Sequence, residues 1–173
     1  EMSLAELSRA SGLNKTTTHR LLRALQSESL IDRNPATSSY SLGAGLMALG
    51  VQALASSDLR RRVRPVLRTL ARETGETATL EVPFEDSMLI LDEVAGNHVL
   101  GSAGNIGTRW PIHATSTGKV WLAFDETGVD RLGETLKPLT ANTLTDKNAL
   151  QPQLAEIRRR GYAITVDEIE EGF

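Results

Sequence analysis

The first 28 residues constrain the fold most, because they describe two short helices separated by a glycine. The sequence SLAE at residues 3–6 is a capping box, in which a serine and a glutamate three residues later satisfy each other's free amides. Gly12 interrupts the pattern and is free to take a positive φ. Asn14 is a favourable N-cap for a second helix. We therefore predict two helices joined by a tight turn.

The predicted second helix has one apolar face and one polar, mostly basic face. An apolar stripe at i, i+3, i+4 and i+7 indicates the buried side, and it comprises Thr18, Leu21, Leu22 and Leu25. The opposite side carries Thr16, Arg20 and Arg23, flanked by Thr17 and His19. Two strand patterns at 30–33 and 40–42 follow around a polar turn, which predicts a hairpin.

Two helices with a glycine-containing turn, followed by a hairpin, form the plan of a winged helix-turn-helix, whose second helix enters the major groove. We predict that the first turns of that helix contact base edges through Thr16, Thr17, His19 and Arg20. Arg20 is suited to a bidentate contact with guanine. Phosphate contacts are predicted for Lys15, Arg23 and Arg33. The alternative is that Lys15, Arg20 and Arg23 are ordinary solvated charges, but the capped helix, the turn and the hairpin together favour DNA binding.

The charge is divided unevenly along the chain. The net charge is −3, yet residues 1–72 carry eleven Lys and Arg against five Asp and Glu, and residues 73–173 carry eight against seventeen. Such asymmetry suggests that the first half meets a polyanion. A solvated basic helix explains it equally well, because residues 60–72 contain six arginines.

The remaining patterns predict an α+β protein. Apolar and amphipathic periodicity indicates helices at 44–57 and 58–73, with Pro65 either kinking the second or lying in its first turn. Strand patterns follow at 77–82, 87–94 and 98–102, then helices at 116–124, 126–136 and 146–160, and a final strand at 162–166. The sequence contains no cysteine, no signal peptide and no apolar run of roughly 18 residues. We expect a cytoplasmic protein without a membrane partner.

Three motifs, in order, resemble the IclR family of bacterial transcription regulators. The first comprises residues 3–7, 12–13, 15–17, 19–22, 25 and 40–43. The second is PIHATSTGK at 111–119. The third is RRGYA at 159–163, followed by Asp167-Glu168 and Gly172. The resemblance covers essentially the whole chain. It implies a winged helix-turn-helix DNA-binding domain at 1–43, a linker helix at 44–57, and an effector-binding domain at 58–173 that resembles GAF modules, with an antiparallel sheet flanked by helices.

The resemblance also implies a ligand-responsive regulator that binds palindromic operators in double-stranded DNA as a homodimer or homotetramer, and acts as a repressor or an activator. The implied effector is a small organic metabolite, either a carboxylate or an aromatic acid. Family members have a helix before the one that starts at Ser3, and strands and a closing helix after Phe173. We therefore expect that the chain is truncated at both ends, or that only its ordered residues are given.

The family's ligand-contacting positions fall on Val99, Leu100, Ser116, Thr117, Gly118 and Thr165. Some members have aspartate where this chain has Thr165. A helix that starts near Ser116 offers free amides and hydroxyls, which favour an anion. Plain helix capping is the alternative for Ser116 and Thr117.

Other chemistry has little support in the sequence, and we expect no enzyme activity, cofactor or metal site. The three histidines lack metal-ligand spacing, and no nucleophile–base pair is recognisable. Gly118-Lys119 is not a phosphate-binding loop, because the glycine required five positions earlier is His113. The acidic residues at 167–171 indicate a solvated turn more than a cation site. The competing functions are a small-molecule-binding enzyme, or a dimerisation module, that uses the winged helix for assembly.

Overall fold

The computed structural model describes residues 1–97, 105–130 and 132–172. These residues form two compact units with a boundary between Ser57 and Asp58. The first unit contains helix α1 (Leu4–Ser11), helix α2 (Lys15–Ser27), strands β1 (Ile31–Arg33) and β2 (Tyr40–Leu42), and helix α3 (Ala44–Ser56). The predicted order of two helices, a hairpin and a further helix is therefore confirmed.

The local signals of the first unit act as the sequence predicts. The Ser3 hydroxyl accepts a hydrogen bond from the Glu6 amide at 3.3 Å, and the Glu6 carboxylate accepts one from the Ser3 amide at 2.7 Å. Gly12 ends α1 with φ 69°, a conformation that glycine adopts without steric cost. The Asn14 side chain accepts from the Thr17 amide at 2.9 Å, which fixes where α2 begins.

The hairpin is antiparallel, with Ile31 opposite Leu42. Gly43, which joins β2 to α3, has no room for a side chain, because a Cβ atom there would lie 2.4 Å from the Ser29 carbonyl oxygen. Its amide donates to the Leu30 carbonyl at 2.9 Å. This close approach fixes the start of α3 against the entrance of the hairpin.

The predicted apolar stripe of α2 is only partly buried. Thr18 and Leu22 are buried, whereas Leu21 and Leu25 retain 46% and 39% exposure. The elements packed on α2 in this unit, α1 and β1, cover one side of the stripe only. The prediction was therefore correct for the inner half of the stripe and wrong for the outer half.

The second unit is built around a three-stranded antiparallel sheet, which confirms the predicted α+β class. It contains helix α4 (Asp58–Thr74), strands β3 (Ala78–Phe84), β4 (Ser87–Val94) and β5 (Arg109–Pro111), and helices α5 (Ser116–Phe124) and α6 (Lys147–Arg160). The strand order is β3-β4-β5. Helix α4 packs on β3 and β4, and α5 contacts the same strands and packs against α6. The core includes Met88, Ile112, Leu122, Leu150 and Leu154.

A β-bulge between Leu80 and Glu81 sets which side chains face each helix. Leu80 pairs with Asp92, and Glu81 pairs with Ile90, so Leu91 is the additional residue. Asp92 is fully buried and bonded to Arg60 and Arg64 of α4. Burial opposes ionisation of Asp92, but hydrogen bonds from Arg64, the Glu93 amide and Arg60 outweigh it and hold its pKa below the usual value.

Two predicted elements are wrong, and one was missed. The helix predicted at 126–136 is replaced by turns in the described part of that range, where Gly128 and Gly133 weaken a helix and Asp125 accepts from the Thr127 amide. The strand predicted at 162–166 is irregular and pairs with no described strand. Strand β5 was not predicted, and the strand predicted at 98–102 lies outside the described residues.

The irregular segment 162–172 is held by side chains instead of a strand ladder. The hydroxyls of Thr140 and Thr143 donate to the carbonyls of Asp167 and Glu168, at 2.5 and 2.7 Å. Pro65 is the eighth residue of α4 and does not lie in the first turn. None of the helices formed by the described residues is both long and apolar enough to cross a bilayer.

Candidate DNA-binding surface and effector site

The residues predicted to contact DNA lie along the first half of α2, where the Asn14 cap fixes the helix start. Lys15, Thr16, His19, Arg20 and Arg23 are exposed, and Thr17 is half-buried. Residues four and seven apart share one face of a helix, so Thr16, Arg20 and Arg23 lie together, away from buried Thr18 and Leu22. The structure therefore leaves the predicted reading face open.

The cations of this face are not neutralised by any carboxylate that the structure describes. Over the described residues, no carboxylate pairs with Lys15, Arg20 or Arg23. Arg33 lies on β1 of the hairpin, where its guanidinium donates to the Ser38 hydroxyl at 2.9 Å. The hairpin therefore presents a further cation, consistent with a wing.

The predicted effector residues Ser116 and Thr117 lie in the first turn of α5. The residue that caps this helix precedes Ser116. The Thr115 hydroxyl accepts from the Gly118 amide at 3.0 Å, so Thr115 is the N-cap. The capping alternative for Ser116 and Thr117 is therefore wrong. Both are half-buried, and the Ser116 hydroxyl has no hydrogen-bond partner in the part of the chain that the structure describes. The Thr117 hydroxyl donates to Glu81 of β3 at 2.7 Å.

Gly118 lies beneath these two residues and is buried. A Cβ atom at Gly118 would lie 2.0 Å from the Ile112 carbonyl oxygen. Only glycine therefore lets the first turn of α5 approach the preceding backbone so closely. Gly118 positions Ser116 and Thr117 through this approach.

Thr165 is half-buried in the irregular segment 162–172, and a buried ion pair links that segment to α5. Lys119 of α5 is fully buried, and its Nζ lies 2.5 Å from Oε1 of Glu168. Lys119 follows Thr117 by two residues, and Glu168 follows Thr165 by three, so the pair ties together the two stretches that carry predicted effector residues. Val99 and Leu100 lie outside the described residues.

The expectation of a solvated acidic turn is wrong for Glu168, which is buried, and is confirmed for Glu170 and Glu171, which are exposed. Glu168 is buried because Lys119 neutralises it, and burying an unpaired charge would be costly. Asp167 has φ 56°, and its carboxylate accepts from the Gly172 amide at 2.5 Å. Among the described residues, no group of three or more His, Cys, Asp or Glu could hold a metal ion.

Sequence reasoning missed Glu81 as a neighbour of the predicted effector residue Thr117. Its carboxylate accepts from Thr117 on one oxygen and from Thr79 at 3.1 Å on the other. The available signal was a charged residue inside an otherwise apolar and hydroxylated strand pattern. Its partner lies 36 residues away, which no local pattern reveals.

A capped two-helix unit with an open cationic face and a hairpin, followed by an α+β unit, defines a DNA-binding transcription regulator with a C-terminal effector domain. Comparison with family descriptions agrees with this class. Residues 1–35 match the IclR helix-turn-helix domain, and residues 51–173 match the bacterial transcriptional regulator IclR C-terminal domain. The chain belongs to the IclR family.

Two related regulators illustrate the similarity. The transcriptional regulator XynR of Escherichia coli is 34% identical over 175 residues, which cover 99% of this chain and 69% of XynR. The transcriptional regulator TtgV of Pseudomonas putida is 38% identical over 173 residues, covering 99% of this chain and 66% of TtgV. The relatives are transcriptional regulators and not enzymes, so the enzyme alternative is not retained.

Solved structures show the same fold. An IclR transcriptional regulator from Alicyclobacillus acidocaldarius superposes with a TM-score of 0.81 at 30% identity, covering 98% of this chain and 70% of the other. An IclR homologue from Microbacterium hydrocarbonoxydans, solved in complex with 4-hydroxybenzoate, has a TM-score of 0.75 at 25% identity, covering 98% of this chain and 71% of the other.

Proposed function

We propose that this protein regulates transcription in the cytoplasm by binding a palindromic operator as a homodimer or homotetramer, and that a small organic carboxylate or aromatic metabolite controls this binding. The exposed cationic face of α2, which pairs with no carboxylate among the described residues, is the observation that carries the proposal. In this arrangement Thr16, Thr17, His19 and Arg20 contact base edges, and Lys15, Arg23 and Arg33 contact phosphates. We also propose that the DNA-binding domain ends at residue 43 and that a linker helix at 44–57 joins it to the effector-binding domain.

Operator binding can be measured on a duplex enriched from a random library by the protein itself. Because phosphate contacts release counterions, affinity should fall steeply as salt rises. Replacing Arg20 with alanine should cost about 1–3 kcal/mol of binding free energy and relax specificity at one base position. Fluorescence anisotropy at several salt concentrations measures both effects.

The matched control is Arg159→Ala, which removes an exposed arginine that pairs with Glu156 on α6 of the second unit. Its operator affinity should equal that of the wild type. Unchanged affinity in Arg20→Ala would remove Arg20 from the base-reading set. Binding that ignores salt would contradict the DNA-binding proposal as a whole.

Self-association is proposed because α3 exposes a large apolar surface. The helix contains no charged residue, and Met47 and Val51 retain 68% and 66% exposure. Contiguous apolar surface of this kind marks interaction sites in soluble proteins. Two copies of a small DNA-reading unit would also read two half-sites, as a palindrome requires.

The effector site is proposed at Ser116, Thr117 and Thr165, positioned by Gly118, with Val99 and Leu100 as further members implied by the family. The start of α5 offers a positive helix end, and one solved relative is a complex with 4-hydroxybenzoate, an aromatic carboxylate. A thermal-shift screen of small carboxylates and aromatic acids tests this proposal, because a ligand that binds the native state raises the melting temperature. The absence of any stabilising compound would count against it.

A further inference from the structure

Glu81 changes the hydrogen-bonding character of the proposed effector site. A threonine hydroxyl has one proton to donate, and Thr117 gives it to Glu81 Oε2 at 2.7 Å. The Thr117 oxygen is therefore left only with lone pairs toward a ligand. The carboxylate of Glu81 is also an acceptor, so the pair of Glu81 and Thr117 presents acceptors to a ligand and no proton.

Among the described residues, no cation neutralises the charge of Glu81. It is half-buried on β3, and in the described structure no lysine or arginine pairs with it. Its described partners are the hydroxyls of Thr117 and Thr79. A ligand carboxylate placed against Glu81 and Thr117 would meet a like charge and find no proton to accept from either of them.

Glu81 can accept a hydrogen bond from an ammonium group or from a neutral hydroxyl of a ligand, and the start of α5 favours one of the two. The N-terminus of a helix carries partial positive charge, which disfavours an ammonium group. A neutral hydroxyl is compatible with both features of the site, because it donates to the acceptors and carries no charge that the helix end would repel.

We propose that Glu81 and Thr117 together bind a hydroxyl group of the effector, and that Glu81 is the residue that selects hydroxylated effectors over their deoxy counterparts. Any carboxylate of the effector then points away from Glu81. This inference rests on the proposed effector site at the start of α5. It names the end of the ligand that the site recognises.

Matched compounds that differ in one group test the inference. The members of each set carry a hydroxyl, a hydrogen and an ammonium at the same position, for example lactate, propionate and alanine, or 4-(hydroxymethyl)phenylacetate, 4-methylphenylacetate and 4-(aminomethyl)phenylacetate. We expect the hydroxylated member of a binding set to bind the wild-type protein about 10- to 100-fold more tightly than the deoxy member, as hydrogen bonds to charged groups do. Calorimetric titration measures the ratio.

In Glu81→Ala the hydroxylated and deoxy members should bind about equally, because the charged acceptor is removed and the Thr117 hydroxyl is free to donate to the ligand. Glu81→Gln keeps the size of the side chain and should reduce the ratio, which guards against a folding defect in the alanine variant. Glu134→Gln changes a carboxylate whose side chain is 97% exposed and far along the chain, and should leave the ratio unchanged. Circular dichroism confirms that each variant is folded.

The outcomes separate this inference from the proposal on which it rests. If hydroxylated and deoxy members bind equally, if the ammonium member binds best, or if folded Glu81→Ala keeps the ratio, the role of Glu81 is overturned while the effector site stands. If no member of any set binds the wild-type protein, both are overturned.

Discussion

At the scale of the single residue, His113 shows how position in the fold changes the chemistry of a side chain. It is 5% exposed, and its Nε2 lies 3.1 Å from the Lys137 carbonyl oxygen. Burial lowers the pKa of His113 below its usual value of 6.5, because a charged imidazole would lose its hydration. The hydrogen bond to Lys137 acts in the opposite direction and does not outweigh burial.

This pKa shift predicts that the protein loses stability as pH falls below about 6.5. In that range the unfolded chain binds a proton at His113 that the folded protein does not, so protonation favours unfolding. The contribution is fully present above the unfolded pKa and is lost as pH drops toward the folded pKa. Urea unfolding at pH 7.5 and pH 5.5 measures the difference.

His113→Gln should reduce the pH dependence of the free energy of unfolding, because the titrating group is absent. The matched control is His19→Gln, which changes an exposed histidine on α2 and should preserve the pH dependence of the wild type. Equal pH dependence in the wild type and in His113→Gln would show that His113 does not carry the effect.

At the scale of the element, α3 is the helix whose apolar composition agrees least with its exposure in a single chain. Its sequence, AGLMALGVQALAS, is apolar on every side. A helix that is apolar all round is buried in a stable assembly. Its exposure here is the physical reason for expecting self-association.

We predict that Met47→Glu combined with Val51→Glu shifts the protein toward the monomer, because each charge would have to be buried in the interface. Analytical ultracentrifugation measures the mass in solution. Gln52→Glu adds a charge to a different side of the same helix and is expected to disturb association less. A double variant that associates like the wild type would place the interface elsewhere.

Other elements show why sequence patterns succeed or fail. Helices α1 and α2 were predictable because their caps at Ser3, Gly12 and Asn14 act within four residues. The helix predicted at 126–136 failed because apolar spacing alone ignored two glycines and a side-chain–stabilised turn. The strand predicted at 162–166 failed because strands require a partner, and this segment is held by threonine hydroxyls from 140 and 143.

At the scale of the whole molecule, the two compact units separate the two proposed activities. Arg20 lies in the unit before Ser57, and Thr117 lies in the unit that begins at Asp58. An effector controls DNA binding only if it has different affinities for the two states of the protein. We propose that residues 44–73 transmit that difference.

We predict that Thr117→Trp abolishes uptake of a compound that stabilises the wild-type protein, while the affinity for operator DNA without the compound is preserved. The indole would fill the space beside Glu81, and the DNA-reading residues belong to the other unit. Calorimetry with the stabilising compound and anisotropy with the operator duplex measure the two properties. Normal uptake would place the pocket elsewhere, and lost DNA binding would show that the units are not independent.

The sequence alone determined the two capped helices, the hairpin, the cationic face of α2 and the class of the second unit, because those features follow from interactions between near neighbours and from periodicity. The tertiary structure alone brought Thr117 to Glu81, Asp92 to Arg60 and Arg64, and Lys119 to Glu168 across 49 residues. These pairs depend on how the sheet and helices pack. The contact between Glu81 and Thr117 spans 36 residues, and no local pattern encodes it.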